Sequence, residues 1–239
     1  MEHARSTAEE PVISVVIPLY EENILSLYRL LRDACDSLEK PYEIIFVDDG
    51  SKDASLDIMK KRARPQDTVL TKPNGGKGSA VHNAIPHITG VYTIIQDGDL
   101  EYDPADIPIL LQRAEQESLP VLYGSRRLMQ HEREYAKWIY YLGGNVVTAI
   151  TNILFRSSLT DMMTCYKLIR SDLFKALPLR TNDFRLEPEI TGLLLLRGVT
   201  IEEVPINYHP RTREEGKKIG WKDFFRCLVT LIQVRFGQL

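Results

Sequence analysis

The sequence predicts an α/β fold in which a mostly parallel sheet carries helices on both faces. Two observations predict it: short apolar, β-branched runs alternate with helical stretches up to residue 127, and short connections join them. Strands that are joined through helices by short connections pair in parallel, and their crossovers are right-handed. No repeat or linker interrupts the alternation, and 239 residues suffice for one large domain with a packed core.

The first two strands lead into acidic turns. Residues 12–18 (VISVVIP) form a β-branched run that a proline ends. A helix should follow, with Glu21 and Glu22 in its first turn, where acids complement the helix dipole. Residues 42–47 (YEIIFV) predict a second buried strand, which runs directly into residues 48–51 (DDGS).

A glycine-rich stretch follows the third strand. Residues 54–64 are predicted as a helix that Asp53 caps, and residues 68–71 as a short strand. Residues 74–79 (NGGKGS) then open a further helix. This stretch is not a Walker phosphate loop, because Gly78 stands where Ser or Thr would follow the lysine. A lysine at a glycine-rich helix start can still approach an anion, and a flexible turn is the alternative.

The central strand ends in the most acidic motif of the chain. Residues 91–95 (VYTII) read as a strand buried on both faces, and Asp97, Asp99 and Glu101 follow it. Carboxylates that alternate with other residues can reach one Mg²⁺ or Mn²⁺, hard cations that prefer oxygen ligands. Open α/β sheets bind ligands at this carboxyl edge, so we expect a metal site here rather than an acidic surface turn.

The pattern changes after a helix that ends near Glu117 and a strand at residues 120–123. Residues 138–155 form an uncharged eighteen-residue helix, at the lower limit for a membrane span. A polar stripe at helical spacing favours a helix that lies on a surface instead. The stripe consists of Asn145, Thr148 and Asn152.

The last elements are a helix that ends near Arg197, a strand and an amphipathic helix. Residues 200–208 alternate as a half-buried strand, in which Pro205 indicates a sheet edge. The helix at residues 222–236 collects six apolar residues on one side. Packing on its own domain and docking on a membrane surface both remain open for that side. The six are Phe224, Phe225, Leu228, Val229, Ile232 and Phe236.

Composition and charge exclude several classes of protein. Hydrophobic residues make up 44% and charged residues 26% of the chain, as in soluble globular proteins, and a net charge of −3 argues against nucleic-acid binding. The three cysteines are widely spaced, so neither a disulfide framework nor a zinc site is expected. The polar N-terminal residues lack the apolar segment of a signal peptide, which predicts a cytoplasmic protein.

Taken together, these motifs resemble the inverting nucleotide-sugar glycosyltransferases of family 2. The resemblance is nearest to the dolichol-phosphate mannosyltransferase-like, or polyprenyl-phosphate glycosyltransferase, branch and runs from about Val12 to Lys222. It depends on the order and spacing of the markers more than on any one of them. They are residues 18–22 (PLYEE), 48–51 (DDGS), 74–78 (NGGKG), 97–101 (DGDLE), 124–126 (GSR), 187–189 (EPE) and 204–206 (VPI), ahead of Arg211 and Lys217.

The resemblance implies a GT-A fold and a division of the chain. Residues 1–11 would be a disordered leader, residues 12–220 the glycosyltransferase domain and residues 221–239 an amphipathic C-terminal helix. Within the domain, residues 12–127 would form the nucleotide-sugar half and residues 128–220 the acceptor-side half.

The resemblance also assigns roles to residues. Asp97, Asp99 and Glu101 would hold the Mg²⁺ or Mn²⁺, with Asp97, Asp99 and Arg126 as the catalytic residues. Two positions depart from the family pattern: Glu101 stands where many eukaryotic relatives have glutamine, and Cys165 where glycine is common. The substrate-binding residues would be Pro18, Tyr20, Glu22, Val47, Asp49, Lys77, Asp97, Gly98, Asp99, Arg126, Arg211 and Lys217.

The implied reaction is metal-dependent transfer of a sugar from a nucleoside-diphosphate donor, such as GDP-mannose or a UDP-hexose, to a polyprenyl phosphate. A phosphate acceptor is already anionic and needs no strong base, whereas a hydroxyl acceptor would need one, for which Asp161 and Glu189 are the candidates. The enzyme would work in the cytoplasm, directly on the cytoplasmic face of a membrane or through a membrane-protein partner.

Two other readings stay open. A nucleotidyltransferase would carry a glycine-rich basic loop after the first strand, where residues 18–22 (PLYEE) stand. A non-catalytic nucleotide-sugar-binding scaffold would have lost some of the acids. The identity of the sugar, the nucleobase and the metal is left open.

Overall fold

A seven-stranded sheet forms the centre of the molecule. The computed structural model describes residues 10–22, 24–129, 138–211 and 221–238. The strands lie in the order β3-β2-β1-β4-β6-β5-β7. They are β1 (Ile13–Leu19), β2 (Tyr42–Asp48), β3 (Thr68–Thr71), β4 (Tyr92–Ile95), β5 (Val121–Ser125), β6 (Lys167–Arg170) and β7 (Glu202–Pro205).

Eight α-helices occur in the described residues. A 3-10 turn at Ile85–His87 extends the third of them. They are α1 (Ile24–Asp36), α2 (Ser55–Arg62), α3 (Lys77–Ala84), α4 (Asp106–Gln116), α5 (Trp138–Phe155), α6 (Ser171–Lys175), α7 (Leu186–Leu196) and α8 (Trp221–Arg235).

The predicted mostly parallel sheet is confirmed. β1 pairs in parallel with β2 and β4, β2 with β3, and β5 with β7. β6 is the exception, because it lies antiparallel between β4 and β5. The carboxyl ends of β1, β2, β4, β5 and β7 therefore share one edge of the sheet, and the acidic motifs follow three of these ends.

Pro205 at the edge strand β7 agrees with the prediction, but several element ends differ from it. Glu21 and Glu22 precede α1 instead of lying in its first turn, and Glu21 has a φ of +52°. Asp53 acts just before α2, where its Oδ1 accepts a hydrogen bond from the amide of Ser55 at 3.0 Å. A non-glycine residue with positive φ breaks helical geometry, which explains the later start of α1.

The polar stripe of α5 faces the protein. Thr148 is buried, and the Asn152 side chain bonds to the chain at residues 157–159. Val146 and Ile153 are exposed instead. α5 thus rests on its own domain through these polar groups and through the buried Val147. No helix in the described part of the chain has both the length and the apolar character needed to cross a membrane.

The prediction that six apolar residues share one side of α8 is wrong, because these residues divide between two faces of the helix. The helix packs on the domain through Cys227, Thr230, Leu231 and Val234, which are buried. Phe224 and Leu228 pack partly against this cluster. The other predicted members are exposed and form an outer apolar stripe, which consists of Phe225, Val229, Ile232 and Phe236.

Candidate active site

Asp49, at the end of β2, organises the glycine-rich loop before α3. Its Oδ1 accepts hydrogen bonds from Lys72 Nζ at 2.6 Å and the Gly75 amide at 2.9 Å, and its Oδ2 from the Gly76 amide at 2.7 Å. Gly76 has a φ of +95°, which an L-residue would adopt only under strain. Asp49 therefore fixes the loop that leads to Lys77.

Pro18 and Val47 lie beside each other where β1 and β2 end, since they are register partners. Val47 is fully buried, whereas Pro18 and the adjacent Tyr20 are partly exposed. Glu22 comes next and packs against the turn after β4, because a Cβ on Gly98 would lie 3.3 Å from Glu22 Cγ. These four residues and Asp49, all predicted to bind substrate, thus lie along one edge of the sheet.

Asp97 is paired with Lys77. The Lys77 ammonium lies 2.7 Å from Asp97 Oδ1 and 2.6 Å from Glu187 Oε1, and Lys167 lies 3.5 Å from the second oxygen of Glu187. Burial opposes the charge on Lys77, but Asp97 and the other acids outweigh it and raise the pKa of Lys77 well above its ordinary value. The Lys77 side chain is only 9% exposed. Because its ammonium pairs with both carboxylates, it holds Asp97 and Glu187 together.

Asp99 and Glu101 meet Arg211 instead. Arg211 Nη2 lies 2.6 Å from Asp99 Oδ2, Nη1 lies 3.3 Å from Glu22 Oε2, and Nε lies 3.5 Å from Glu101 Oε1. Burial, followed by the charges of Asp97 and Glu101, raises the pKa of Asp99 from 3.8 to about 6. One guanidinium therefore gathers three carboxylates from two strand ends.

Glu101 also anchors the chain after β7. One of its carboxylate oxygens accepts a hydrogen bond from the Tyr208 hydroxyl. The other accepts one from the Arg211 amide at 3.1 Å. Its carbonyl oxygen accepts the amide of His209 at 2.8 Å. Glu101 thus holds the backbone of Arg211 beside the acidic turn.

Arg126 forms a buried, bidentate pair with Asp161. Its Nε and Nη2 lie 2.6 and 2.8 Å from the two Asp161 oxygens, and the guanidinium carbon lies 5.0 Å from the centre of the Tyr208 ring. Burial alone would raise the pKa of Asp161, but Arg126 outweighs it and holds the pKa below its ordinary value. A carboxylate in this pair is a weak base, because it binds a proton poorly.

Glu189, the second candidate base, is fully buried in α7. Its carboxylate oxygens accept hydrogen bonds from the amides of Arg180 and Thr181, at 2.6 and 2.9 Å, and from the Thr181 hydroxyl. These contacts give it a structural role in holding the chain before α7.

The acidic residues have the right chemistry for a divalent cation, but their carboxylates are engaged by lysine and arginine. No group of three or more His, Cys, Asp or Glu side chains in the described ranges is arranged to hold a metal ion. Asp97 is paired with Lys77, and Asp99 with Arg211. Oxygen donors of this kind suit Mg²⁺ and Mn²⁺.

The structure brings together most of the predicted site and adds residues that sequence reasoning missed. Lys72, Tyr208 and Lys167 had no assigned role, and the partnership of Glu187 with Lys77 was not expected. The EPE motif was the only sequence signal for Glu187. Lys217 lies outside the described residues.

Comparison with known proteins identifies the family. The model for glycosyl transferase family 2 matches residues 14–177. The chain belongs to glycosyl transferase family 2. This match spans the strand ends that carry Asp49, Asp97, Asp99 and Arg126, so the resemblance drawn from the motifs is confirmed.

Curated relatives include bacterial enzymes that are named as undecaprenyl-phosphate transferases. The chain is 31% identical, over 91% of its own length and 68% of the relative's, to undecaprenyl-phosphate 4-deoxy-4-formamido-L-arabinose transferase of Edwardsiella ictaluri. It is 36% identical to the enzyme of that name from Salmonella choleraesuis, over 44% of its own length and 34% of the relative's.

Solved structures support the GT-A fold. Glucosyl-3-phosphoglycerate synthase from Mycobacterium tuberculosis, in complex with Mn²⁺, UDP and glucosyl-3-phosphoglycerate, has a TM-score of 0.69. It is 17% identical, and the match covers 97% of this chain and 81% of that one. Another crystal structure of that synthase, with Mg²⁺ and UDP, has a TM-score of 0.67. At this identity the likeness concerns the fold, and the predicted fold class is confirmed.

Proposed function

We propose that this family 2 glycosyltransferase moves a sugar from a nucleoside-diphosphate donor to a polyprenyl phosphate, with a divalent cation. The observation that carries the proposal is the convergence of acids and arginines on one sheet edge, where Arg211 touches Glu22, Asp99 and Glu101. The 31% identical relative is named for transfer to undecaprenyl phosphate, which supports this acceptor class.

The donor would lie along the ends of β1, β2 and β4. Pro18, Tyr20, Val47 and Asp49 would contact the nucleoside, and a carboxylate such as Asp49 can accept a hydrogen bond from a ring nitrogen of uracil or guanine. Arg211 and Lys217 would bind the diphosphate, Arg211 through a guanidinium that pairs bidentately with phosphate oxygens and Lys217 through its ammonium charge.

Asp97 and Asp99, with Glu101 beside them, would hold the Mg²⁺ or Mn²⁺. When bound, a divalent cation stabilises the negative charge that develops on the leaving diphosphate. The chain's own part is to supply oxygen donors and to keep them oriented through Lys77 and Glu187.

The arrangement favours a phosphate acceptor over a hydroxyl acceptor. A hydroxyl needs a base, and the two candidates are both engaged: Asp161 with Arg126, and Glu189 with Arg180 and Thr181. A polyprenyl phosphate is already anionic, and Arg126 would offer it a positive charge near the acidic turn.

The outer apolar stripe of α8 would let the enzyme reach a lipid acceptor. Phe225 and Phe236 are 56% and 67% exposed, and Ile153 of α5 is 78% exposed. Exposed aromatic and aliphatic side chains on one helix face suit the boundary between lipid headgroups and acyl chains. We therefore place the protein on the membrane surface; the comparisons lend no support to a membrane-protein partner.

A thermal-shift screen followed by a transfer assay tests this function. We expect GDP-mannose, UDP-glucose or UDP-N-acetylglucosamine with Mg²⁺ to raise the melting temperature, since a ligand that binds only the folded state stabilises it. We then expect transfer of that sugar to undecaprenyl or dolichyl phosphate, and loss of at least ~10²-fold in Asp99→Ala.

The outcomes separate the alternatives. Release of pyrophosphate from a nucleoside triphosphate and a sugar phosphate would identify a nucleotidyltransferase. Binding of a nucleotide sugar without transfer or hydrolysis would identify a scaffold. Weaker donor binding by Arg211→Ala in calorimetry would support the diphosphate role, and unchanged donor affinity would argue against it.

A further inference from the structure

Arg211 occupies the carboxylates that the proposed metal site needs. Its guanidinium reaches Asp99, Glu22 and Glu101, at 2.6, 3.3 and 3.5 Å respectively. Asp97 is engaged separately by Lys77. A guanidinium stays protonated at any physiological pH, so this internal positive charge does not switch off by itself.

We propose that Arg211 is an internal counter-ion that holds Asp99 until donor binds, so that divalent cation and donor diphosphate bind together rather than independently. The inference rests on the proposed function for its choice of ligands. A divalent cation and Arg211 compete for Asp99 Oδ2, because like charges repel at such short range. The cation gains that carboxylate only when Arg211 leaves it.

The donor supplies the reason for Arg211 to leave. A displaced guanidinium needs another anion, and the diphosphate of the donor presents phosphate oxygens that match its paired N–H groups. Diphosphate binding therefore lowers the free energy of freeing Asp99. By linkage, the cation must strengthen diphosphate binding by the same factor.

The anchoring of Arg211 suits such a movement. Its backbone amide is held by Glu101, and the neighbouring amide of His209 by the Glu101 carbonyl. The side chain is 23% exposed, whereas the Lys77 side chain that pairs with Asp97 is 9% exposed and is held by Glu187 as well. The guanidinium can thus rotate while the backbone stays in place, and Lys77 stays with Asp97.

Titration of Mn²⁺ into the full chain, followed by the electron paramagnetic resonance signal of free Mn²⁺, tests the proposal. We compare wild type, Arg211→Ala and Arg211→Gln, each alone and with saturating UDP or GDP, against protein-free controls. Arg113→Ala is the matched control, because Arg113 pairs with Glu117 on the surface of α4, at 3.2 Å.

In wild type, we expect the nucleoside diphosphate to tighten Mn²⁺ binding about tenfold or more, within the usual range of coupling between sites. Both Arg211 variants should bind Mn²⁺ about tenfold more tightly than wild type without nucleotide, and should gain less when nucleotide is added. Arg113→Ala should behave as wild type. Arg211→Gln keeps a polar side chain without the charge, so the test survives if Arg211→Ala fails to fold.

Equal Mn²⁺ affinity of wild type and the Arg211 variants without nucleotide would overturn the inference and leave the proposed function standing. Failure of every protein to bind UDP and GDP would overturn the proposed function. Tighter Mn²⁺ binding by the Arg211 variants would in that case still support the counter-ion role, because it is measured without nucleotide.

Discussion

Asp99 carries a charge that its surroundings in the folded chain disfavour. Burial and two neighbouring acids raise its pKa from 3.8 to about 6, although Arg211 lowers it. Below pH 4 the group is protonated in both states. Between pH 4 and 6 the folded chain keeps a proton that the unfolded chain has lost, so the free energy of unfolding falls as pH rises through this window.

We predict that Asp99→Asn removes this fall in stability. In metal-free buffer above pH 6, the variant should be more stable than wild type by an amount on the order of 2 kcal/mol. Urea unfolding at intervals between pH 4 and 8 measures it. Asp172→Asn is the control. Because Arg170 lowers the pKa of Asp172, this substitution should change the pH dependence of the free energy of unfolding only below pH 4. Parallel pH curves for wild type and Asp99→Asn would contradict the prediction.

At the scale of elements, close packing ties α3 to the chain before α7. A Cβ on Gly78 would lie 2.3 Å from the carbonyl oxygen of Thr181, which is shorter than any tolerable contact. In contrast, a Cβ on Gly143 of α5 would meet the Phe224 ring at 3.7 Å, an ordinary contact. The structure therefore leaves no room for a side chain at Gly78 but accommodates one at Gly143.

We predict opposite effects for the same substitution at these two sites. Gly78→Ala should lower the free energy of unfolding by about 1–3 kcal/mol, because backbone must shift to relieve the overlap. Gly143→Ala should raise it by up to about 1 kcal/mol, since alanine favours a helix more than glycine does. Urea denaturation of both variants provides the measurement, and a stabilised Gly78→Ala would show that residues 181 and 182 move freely.

The outer stripe of α8 makes a separate prediction. The double variant Phe225→Ser/Phe236→Ser should float with anionic liposomes at least about tenfold less than wild type, because two large apolar side chains no longer leave water. Ile109→Ser is the matched control, since Ile109 is 59% exposed on α4, far along the chain from α5 and α8. Equal loss in both variants, or wild type that stays at the bottom of the gradient, would argue against α8 as the docking element.

The strands and helices differ in how well they can be predicted from the sequence. β1 and β2 could be predicted because their apolar, β-branched runs are buried over most of their length. The strand β6 was not predicted as such, because it begins with Lys167, a buried lysine whose ammonium donates to the carbonyls of Met162 and Thr164. The two faces of α8 could not be separated either, since apolar residues occur on both.

For the site, the sequence predicts which acids meet but not what they touch. Asp49 and Asp97 follow parallel strands, so their approach is a consequence of the sheet. The contact of Asp99 with Arg211 joins positions 112 residues apart through a loop after β7, and no periodic pattern encodes it. The internal counter-ion therefore emerges only from the folded chain.

At the scale of the whole molecule, the described residues form two hydrophobic clusters of different size. The large one surrounds the sheet and includes Cys35 and Cys165. The small one joins α5, α8 and the segment after α5, and its buried members are Val147, Leu159, Met162, Cys227 and Leu231. Less buried apolar surface means a smaller free energy for local opening, so α8 should separate from the domain before the sheet unfolds.

The native cysteines report this difference without any substitution. Burial raises the pKa of both Cys35 and Cys227 to about 12, so their thiols have similar chemical reactivity when buried, and labelling must wait for opening. We predict that pulse alkylation without denaturant, read by peptide mass spectrometry, labels Cys227 at least about tenfold faster than Cys35. Labelling of Cys35 should follow global unfolding and accelerate with urea, whereas that of Cys227 should depend on urea only weakly. Equal rates with equal urea dependence would instead mean that the sheet and α8 unfold as one unit. Membrane docking through α8 would in that case change the stability of the whole domain.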